Sequence, residues 1–244
     1  MISKSQVKYI QSLGQKKHRD IEHVFVAEGP KIVRELLLNK SVELKSLYAV
    51  EEWKRSNEEL ISQLNLVEIN ESELERISQL KTPHQVLGVF KQFEIVAPQT
   101  KDKISLVLDT IQDPGNIGTI IRLADWFGVT NIVCSHDCAD IYNAKVVQAS
   151  MGSIARVNAF YTDLGSWLKT QHEAIRIYAA LLEGKDITRM AALNEGLIII
   201  GNESKGIRHE LLQYVDEKIT IPKKGQAESL NAAVAAGIIL SHLV

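Results

Sequence analysis

Continuous apolar runs alternate with helical patterns through the second half of the chain, and no other feature constrains the fold as strongly. Such runs are typical of strands buried on both faces of a parallel sheet. They cover residues 104–108, 131–134, 156–160, 175–181, 197–200 and 218–221. Helical patterns lie between or after them, including 117–127, 144–151 and 229–243. This alternation predicts an α/β domain built on a doubly wound parallel sheet.

Shorter elements fill the first part of the chain and predict a smaller α/β sandwich domain. Strands are expected at 25–28, 44–50, 65–69 and 86–93, and helices at 31–39, 51–63 and 72–80. Ser72 and Glu75 have the spacing of a capping box at the start of the last helix. The polar stretch around Pro98 fits a linker. The predicted domains are therefore 1–96 and 104–244, joined by a linker at 97–103.

Composition and charge indicate a soluble, cytoplasmic protein. Of the 244 residues, 45% are hydrophobic and 24% charged, and no apolar run is long enough to span a membrane. The first residues are polar, without the apolar block of a signal peptide. The net charge is −2, yet the first 19 residues contain basic side chains and no acid: Lys4, Lys8, Lys16, Lys17 and Arg19. This segment either contacts a nucleic-acid backbone or forms a solvated helix face.

The two cysteines, Cys134 and Cys138, lie near His136, Asp137 and Asp140. Structural zinc sites usually take four ligands, often as two separated pairs, and the sequence has no second pair. We therefore expect two reduced structural thiols and no metal site.

The loop that follows the strand at 104–108 is the first candidate for a site, because ligands of such sheets bind beyond the carboxyl ends of the strands. It lacks the Gly-x-Gly-x-x-Gly fingerprint and the P-loop pattern, so nicotinamide and nucleoside triphosphate binding lose their main support. Pro114 and Gly115 predict a tight turn and Asn116 a helix N-cap. Arg122 is suited to bind a phosphate, although an ordinary surface arginine fits the same pattern.

Two further strand-end loops carry polar residues. Glu203 follows the strand at 197–200, where it could bind a ligand or cap backbone amides. Ser229 and Asn231 precede the apolar helix near the end of the chain, as caps, ligand contacts or both.

Together, Asp109–Gly128, Ile198–Gly206 and Ile221–Gly237 resemble the three motifs of SpoU-type (TrmH-like) RNA ribose 2′-O-methyltransferases of the SPOUT superfamily, in that family's order. The first domain, with Phe25–Gly29 and Thr82–Val86, resembles the L30e-like substrate-binding domain of many such enzymes. The resemblance covers nearly the whole chain.

The resemblance implies a trefoil-knotted C-terminal α/β domain, a homodimer and an active site drawn from both protomers. It implies S-adenosylmethionine as methyl donor, contacted by Gly201, Ile221 and Leu230, with no metal. The implied catalytic residues are Arg122, Asn116, Glu203, Ser229 and Asn231. Arg122 would act either as a base or as a clamp for phosphate and alkoxide, since arginine holds its proton tightly. One departure is Lys223-Lys224, where the family commonly has methionine next to the proline.

The expected substrate is structured RNA, with rRNA favoured over tRNA because the L30e-like domain reads RNA shape. Three alternatives remain at this point. They are a tRNA ribose methyltransferase, a non-catalytic RNA-binding protein that keeps the fold, and a nicotinamide oxidoreductase that lacks its glycine fingerprint. The joint presence of all the matched catalytic residues argues against the non-catalytic protein.

Overall fold

The computed structural model describes residues 2–244, which separate into two compact units. The first unit contains the described residues up to Glu94 together with Asp140–Ala155. The second contains Ile95–Ala139 and Arg156–Val244. Residues 92–100, which overlap the predicted linker at 97–103, form no helix or strand. The domain boundaries drawn from the sequence remain predictions.

The first unit is built on a four-stranded sheet in the order β1-β4-β2-β3. Its strands are β1 (Val24–Glu28), β2 (Leu44–Ala49), β3 (Leu66–Glu68) and β4 (Val86–Lys91). β4 pairs antiparallel with β1 and β2, and β3 runs parallel to β2. All four strands lie where the alternating pattern predicted them, which confirms the mixed α/β sandwich.

Helices surround this sheet: α1 (Lys4–Ser12), α2 (Lys16–Glu22), α3 (Pro30–Leu38), α4 (Glu51–Arg55), α5 (Glu58–Ile61) and α6 (Glu71–Ile77). The prediction of one helix over 51–63 was wrong. The helix is interrupted at Ser56 and Asn57, whose side chains donate to the carbonyls of Glu52 and Trp53 at 3.0 and 2.8 Å. Such local bonds compete with the helical backbone ladder.

The capping box of α6 lies two residues before the predicted one. Asn70, not Ser72, is the N-cap, and its side-chain oxygen accepts from the Glu73 N–H at 2.9 Å. The Glu73 carboxylate in turn accepts from the Asn70 N–H at 3.2 Å. Asparagine caps a helix as well as serine does, so the residue type alone could not distinguish the two positions.

Part of the predicted basic segment is unavailable to RNA. Arg19 is 3% exposed, donates to the carbonyls of Leu13 and Gly14, and pairs with Asp140 at 2.6 Å. Neither alternative for the basic segment, a nucleic-acid contact or a solvated helix face, therefore holds for Arg19. The other four basic residues are exposed, and Lys16 forms an ion pair with Asp20 at 3.0 Å.

Next along the chain come α7 (Pro114–Trp126) of the second unit and α8 (Ala144–Ser150) of the first. The segment that carries α8 also supplies an aromatic residue to the core of the first unit. The Tyr142 ring lies 5.1 Å from that of Phe25, and its hydroxyl accepts from the Phe93 N–H at 2.8 Å.

The second unit is built on a six-stranded sheet in the order β10-β8-β9-β5-β6-β7, in which every neighbouring pair is parallel. The strands are β5 (Ile104–Asp109), β6 (Asn131–Ser135), β7 (Asn158–Thr162), β8 (Ile177–Asp186), β9 (Gly196–Gly201) and β10 (Glu217–Thr220). Helices α9 (Leu164–Gln171) and α10 (Ala232–Leu243) complete the unit with short 3-10 turns. The predicted parallel sheet is confirmed; the knot remains a prediction.

The pairing of β8 with β10 is irregular. Lys218 lies opposite Ala179, but the next residue, Ile219, lies opposite Lys185. Residues 180–184 therefore leave the ladder, and Leu182 is 75% exposed. An added Cβ at Gly184 would lie 2.6 Å from the Lys218 carbonyl oxygen, so the two backbones approach closely at this point. No described helix is both long enough and apolar enough to cross a membrane.

Candidate active site at the strand ends

Three loops that the sequence analysis selected leave the carboxyl ends of β5, β9 and β10. β5 and β9 are neighbours, and their last residues, Asp109 and Gly201, lie opposite each other. Because parallel strands end at the same edge of a sheet, the residues that follow them are brought to one region.

Asn116 lies within the first turn of α7, not at its N-cap as predicted. Asp113 is the cap, since its carboxylate accepts from the Asn116 N–H at 2.8 Å, and Pro114 follows it. A carboxylate followed by proline suits a helix start, because proline has no N–H to satisfy. The Asn116 side chain is consequently free for other contacts.

Asn116 connects the three loops. Its side-chain amide donates to the Glu203 carboxylate, and its carbonyl oxygen accepts from the Asn231 side-chain amide at 2.9 Å. Asn231 is the N-cap of α10, where its own oxygen accepts from the N–H groups of Ala233 and Val234 at 3.0 and 3.2 Å. A single polar network therefore joins one residue from each predicted motif.

Of the two roles left open by the sequence, Glu203 takes the backbone-capping one, and its contact with a ligand stays a prediction. Its carboxylate accepts from Asn116 and also from the Ala232 N–H at 3.4 Å, at the beginning of α10. The side chain is half-buried in this network. A carboxylate at a helix N-terminus is stabilised by the unpaired amides there.

The other two predicted catalytic residues face solvent. Arg122 is exposed on α7, and its side chain makes no hydrogen bond or ion pair with any residue in 2–244. Ser229 is also exposed, and α10 begins three residues after it, later than predicted. Within the described part of the chain no hydrogen bond links Asn116 to Arg122, so Arg122 is available to an external group.

The three residues predicted to contact the donor are a glycine and two apolar residues. Gly201 and Ile221 are half-buried, and Leu230 is 44% exposed. A Cβ at Gly201 would lie 2.5 Å from the Gly206 carbonyl oxygen, so only glycine allows the loop to close here. Gly206, with φ +68°, adopts the left-handed conformation that glycine tolerates best.

Sequence reasoning missed three residues that shape the same loops. The Asn202 side chain donates to the Thr110 carbonyl at 3.0 Å and accepts from the N–H groups of Ser204 and Lys205. Arg208 pairs with the fully buried Asp109 at 2.7 Å. A polar residue ending an apolar run could have indicated Asp109, whereas no sequence pattern singled out Arg208.

Cys134 and Cys138 are both free thiols, as expected, and both are buried. The Cys138 sulfur accepts from the Ile111 N–H at 3.3 Å, within the loop after β5. A hydrogen bond from the Cys134 thiol lowers the pKa of Cys138 to about 7, and the same bond together with burial raises the pKa of Cys134. No described group of three histidine, cysteine or acidic side chains is placed to hold a metal ion.

These features define a two-unit α/β protein with a polar site beyond the ends of a parallel sheet. Residues 103–241 match the model of the SpoU rRNA Methylase family, and residues 4–88 match the MRM3-like substrate binding domain. The chain therefore belongs to the SpoU rRNA methylase family. The family and the N-terminal substrate-binding domain predicted from the motifs are confirmed.

Relatives of known structure or function resemble the chain over almost its full length. The 23S rRNA (guanosine(2553)-2′-O)-methyltransferase RlmP of Bacillus subtilis is 31% identical, covering 97% of this chain and 95% of the relative. A Porphyromonas gingivalis structure assigned to the TrmH family of RNA methyltransferases is 33% identical with a TM-score of 0.87, covering 99% and 98%. An AdoMet-bound rRNA methyltransferase from Sinorhizobium meliloti is 29% identical with a TM-score of 0.84, covering 99% and 95%.

Proposed function

We propose that this protein transfers a methyl group from S-adenosylmethionine to a ribose 2′-hydroxyl of ribosomal RNA. Membership of the SpoU family, the activity of RlmP and the AdoMet-bound relative support this function. The observation that carries it is the network of Asn116, Glu203 and Asn231, which joins residues of all three motifs at one edge of the sheet.

The reaction exchanges one bond to the methyl carbon for another. The carbon–sulfur bond of the donor breaks, a carbon–oxygen bond to the ribose forms, the hydroxyl proton leaves, and S-adenosylhomocysteine is released. The sulfonium supplies a methyl group that is already activated, so the chain's own residues must chiefly bind, orient and activate the hydroxyl.

The residues proposed to hold the donor fit its chemistry. Gly201 offers backbone groups without a side chain, and Ile221 and Leu230 offer apolar surface to the adenosine. The large exposed fraction of Leu230, 44%, leaves a face for such packing. In this arrangement Asn116, Glu203 and Asn231 orient the ribose and the donor loops.

Arg122 is proposed to act on the RNA side of the reaction. It forms no ion pair with an acidic residue within residues 2–244, and its fork of donors suits a phosphate or a developing alkoxide. This favours the electrostatic role over that of a base, which would require the guanidinium to lose its proton. Ser229 lies on the exposed third loop, where it would complete the pocket by a hydrogen bond.

We further propose that the protein works as a homodimer in the cytoplasm. Trp126, on α7, is 82% exposed and follows Arg122 by one helical turn, so the two side chains share a face. Val234, on α10, is 50% exposed. A second copy that covers this apolar surface would bring Arg122 close to the subunit interface, as expected for an active site shared between protomers.

The proposed target is a nucleotide of the large-subunit rRNA, and a guanosine is the first one to test, because RlmP methylates a guanosine of 23S rRNA. Mapping 2′-O-methyl groups in RNA from cells with and without the gene identifies it. Loss of a single rRNA modification supports the proposal. Loss confined to tRNA assigns the activity to the alternative substrate, and no change in either RNA contradicts ribose methylation.

Replacing Arg122 tests whether this residue acts in methyl transfer and not in binding of the donor. We expect Arg122→Ala to abolish methyl transfer to rRNA while S-adenosylmethionine binding, measured by calorimetry, stays nearly intact. The reason is that within residues 2–244 the Arg122 side chain forms no hydrogen bond with the residues proposed to hold the donor.

Arg189→Ala is the matched control, since this side chain is 85% exposed in the same unit and should leave activity unchanged. Loss of donor binding together with activity in Arg122→Ala would show that Arg122 belongs to the donor site instead. Full activity would remove it from the reaction.

A further inference from the structure

The loop between β9 and the following 3-10 turn is fastened to the end of β5 by an ion pair between the buried Asp109 carboxylate and the half-buried Arg208 side chain. Asp109 is 0% exposed. The Arg208 backbone N–H donates to one carboxylate oxygen at 2.8 Å, and the Arg208 Nε donates to the other at 2.7 Å. One residue thus satisfies both oxygens of the carboxylate, which fixes the direction of the loop as well as its position.

The same loop has a second attachment at its other end. Asn202 donates to the carbonyl of Thr110, the residue that follows Asp109, at 3.0 Å. Asn202 and Gly206 also exchange two backbone hydrogen bonds at 3.1 and 2.8 Å, which closes residues 202–206 into a tight turn. The turn is therefore held at both ends by adjacent residues of β5 and its loop.

Glu203 lies between these two attachments. Its carboxylate bonds Asn116 and the first amide of α10, so its position depends on where the turn is held. Gly201, at the start of the turn, approaches the Gly206 backbone too closely for any side chain. A displacement at Arg208 would accordingly be passed to both the proposed donor contact and the polar network.

We propose that Asp109 and Arg208 are positioning residues for methyl transfer, holding the β9 loop so that Gly201 meets the donor and Glu203 meets Asn116. This inference rests on the proposed function. Neither residue touches a reacting atom in it; both act through the loop.

A double substitution of the ion pair separates its effect on the position of the loop from its effect on the stability of the protein. Removing one partner of a buried ion pair leaves an uncompensated charge, whereas replacing both by apolar residues of similar volume is often neutral. Arg208→Met alone should therefore lower the melting temperature. The double variant Asp109→Leu/Arg208→Met should recover most of that loss without recovering the two-point attachment of the loop.

The experiment measures melting temperature, S-adenosylhomocysteine binding by calorimetry, and the kcat and KM of methyl transfer to rRNA. We expect the double variant to melt near the wild-type temperature but to bind S-adenosylhomocysteine about tenfold more weakly, the size expected for losing a charged hydrogen bond. The KM for the donor should rise in parallel. Glu210→Gln is the control, because this exposed carboxylate touches only the outer side of Arg208, at 3.4 Å.

A stable double variant with wild-type affinity and kinetics would overturn the inference and leave the pair a purely structural one. If the double variant is itself unstable, Arg208→Lys decides the matter. It keeps the charge and the backbone bond but loses the Nε contact, so we expect a folded protein with a raised donor KM; an unchanged KM counts against positioning. These outcomes are distinguishable from failure of the proposed function. If the protein were not a methyltransferase, the wild type itself would not bind S-adenosylhomocysteine.

Discussion

At the scale of single residues, the site depends on which polar side chain caps α7, because the one that does not cap the helix can contact other loops. Asp113 takes the capping position that the sequence suggested for Asn116, and this leaves Asn116 to join Glu203 and Asn231. A carboxylate and an amide are both good caps, so local preference could not decide between them. The long-range partners of Asn116 lie 87 and 115 residues away, beyond the reach of local pattern.

Cys138 provides a test at this scale because its thiol titrates near neutral pH. With its pKa lowered to about 7 by the bond from Cys134, the reactive thiolate should accumulate as the pH rises through that value. We expect the rate of iodoacetamide labelling of native protein, followed by mass spectrometry, to rise through pH 7 and level off above it. Labelling should also reduce activity, because Cys138 is only 8% exposed and contacts the Ile111 N–H, so that an added carbamidomethyl group must displace the loop after β5.

The Cys138→Ser variant is the control for site assignment and should remove the labelling seen near neutral pH. Cys134 should stay unlabelled over this range, since it is 1% exposed and its pKa is raised. A labelling midpoint near 9, the ordinary value for a cysteine, would contradict the assigned hydrogen bond between the two thiols.

At the scale of elements, the strands of the structure lie close to the positions predicted from the sequence, and the differences are confined to particular strands. The apolar runs located all six strands of the large sheet, because burial on both faces leaves an uninterrupted signal. β8 extends five residues beyond its predicted end at 181, through a polar and exposed segment that carries no such signal. The last residues of β8 are held in the strand by pairing with β10, which comes later in the chain. A pattern within residues 177–186 cannot predict this pairing.

Gly201 gives a prediction about the β9 loop. In Gly201→Ala the new methyl group would lie 2.5 Å from the Ile207 nitrogen, a backbone atom that must move. Overpacking of this kind costs about 1–3 kcal/mol, so we expect a melting temperature lower by several degrees, together with weaker S-adenosylmethionine binding. Differential scanning calorimetry and titration calorimetry measure the two effects.

Gly165→Ala, in α9 and outside the three motifs, is the matched control for this substitution. A Cβ at Gly165 would lie 3.6 Å from the Asp163 Oδ1, an ordinary contact, and its φ is not one that disfavours alanine. Both properties should therefore stay at wild-type values in the control. Equal effects of the two substitutions would mean that the close approach at Gly201 does not govern the loop.

At the scale of the whole molecule, the proposed homodimer has a direct test. We expect light scattering to give the mass of two 27.3 kDa chains for the wild type. Val234→Asp, which places a charge on a side chain that is 50% exposed on α10, should yield a folded monomer without methyl transfer activity.

Leu38→Asp serves as the control, since Leu38 is 61% exposed on α3 of the first unit and should leave the mass unchanged. A wild-type monomer that methylates rRNA at full rate would refute the shared active site. An active, dimeric Val234→Asp variant would instead place the interface elsewhere on the surface.

The first unit is assembled from two separate stretches of chain, because Asp140–Ala155 packs with the residues up to Glu94. Tyr142, which contacts Phe25 and Phe93, is encoded well after the predicted linker. A gene cut near codon 100 would therefore not yield a complete N-terminal module, and the shortened product would lack one wall of its aromatic cluster. Grafting this substrate-binding half onto a related enzyme, to transfer its choice of RNA, would require both stretches to be exchanged together.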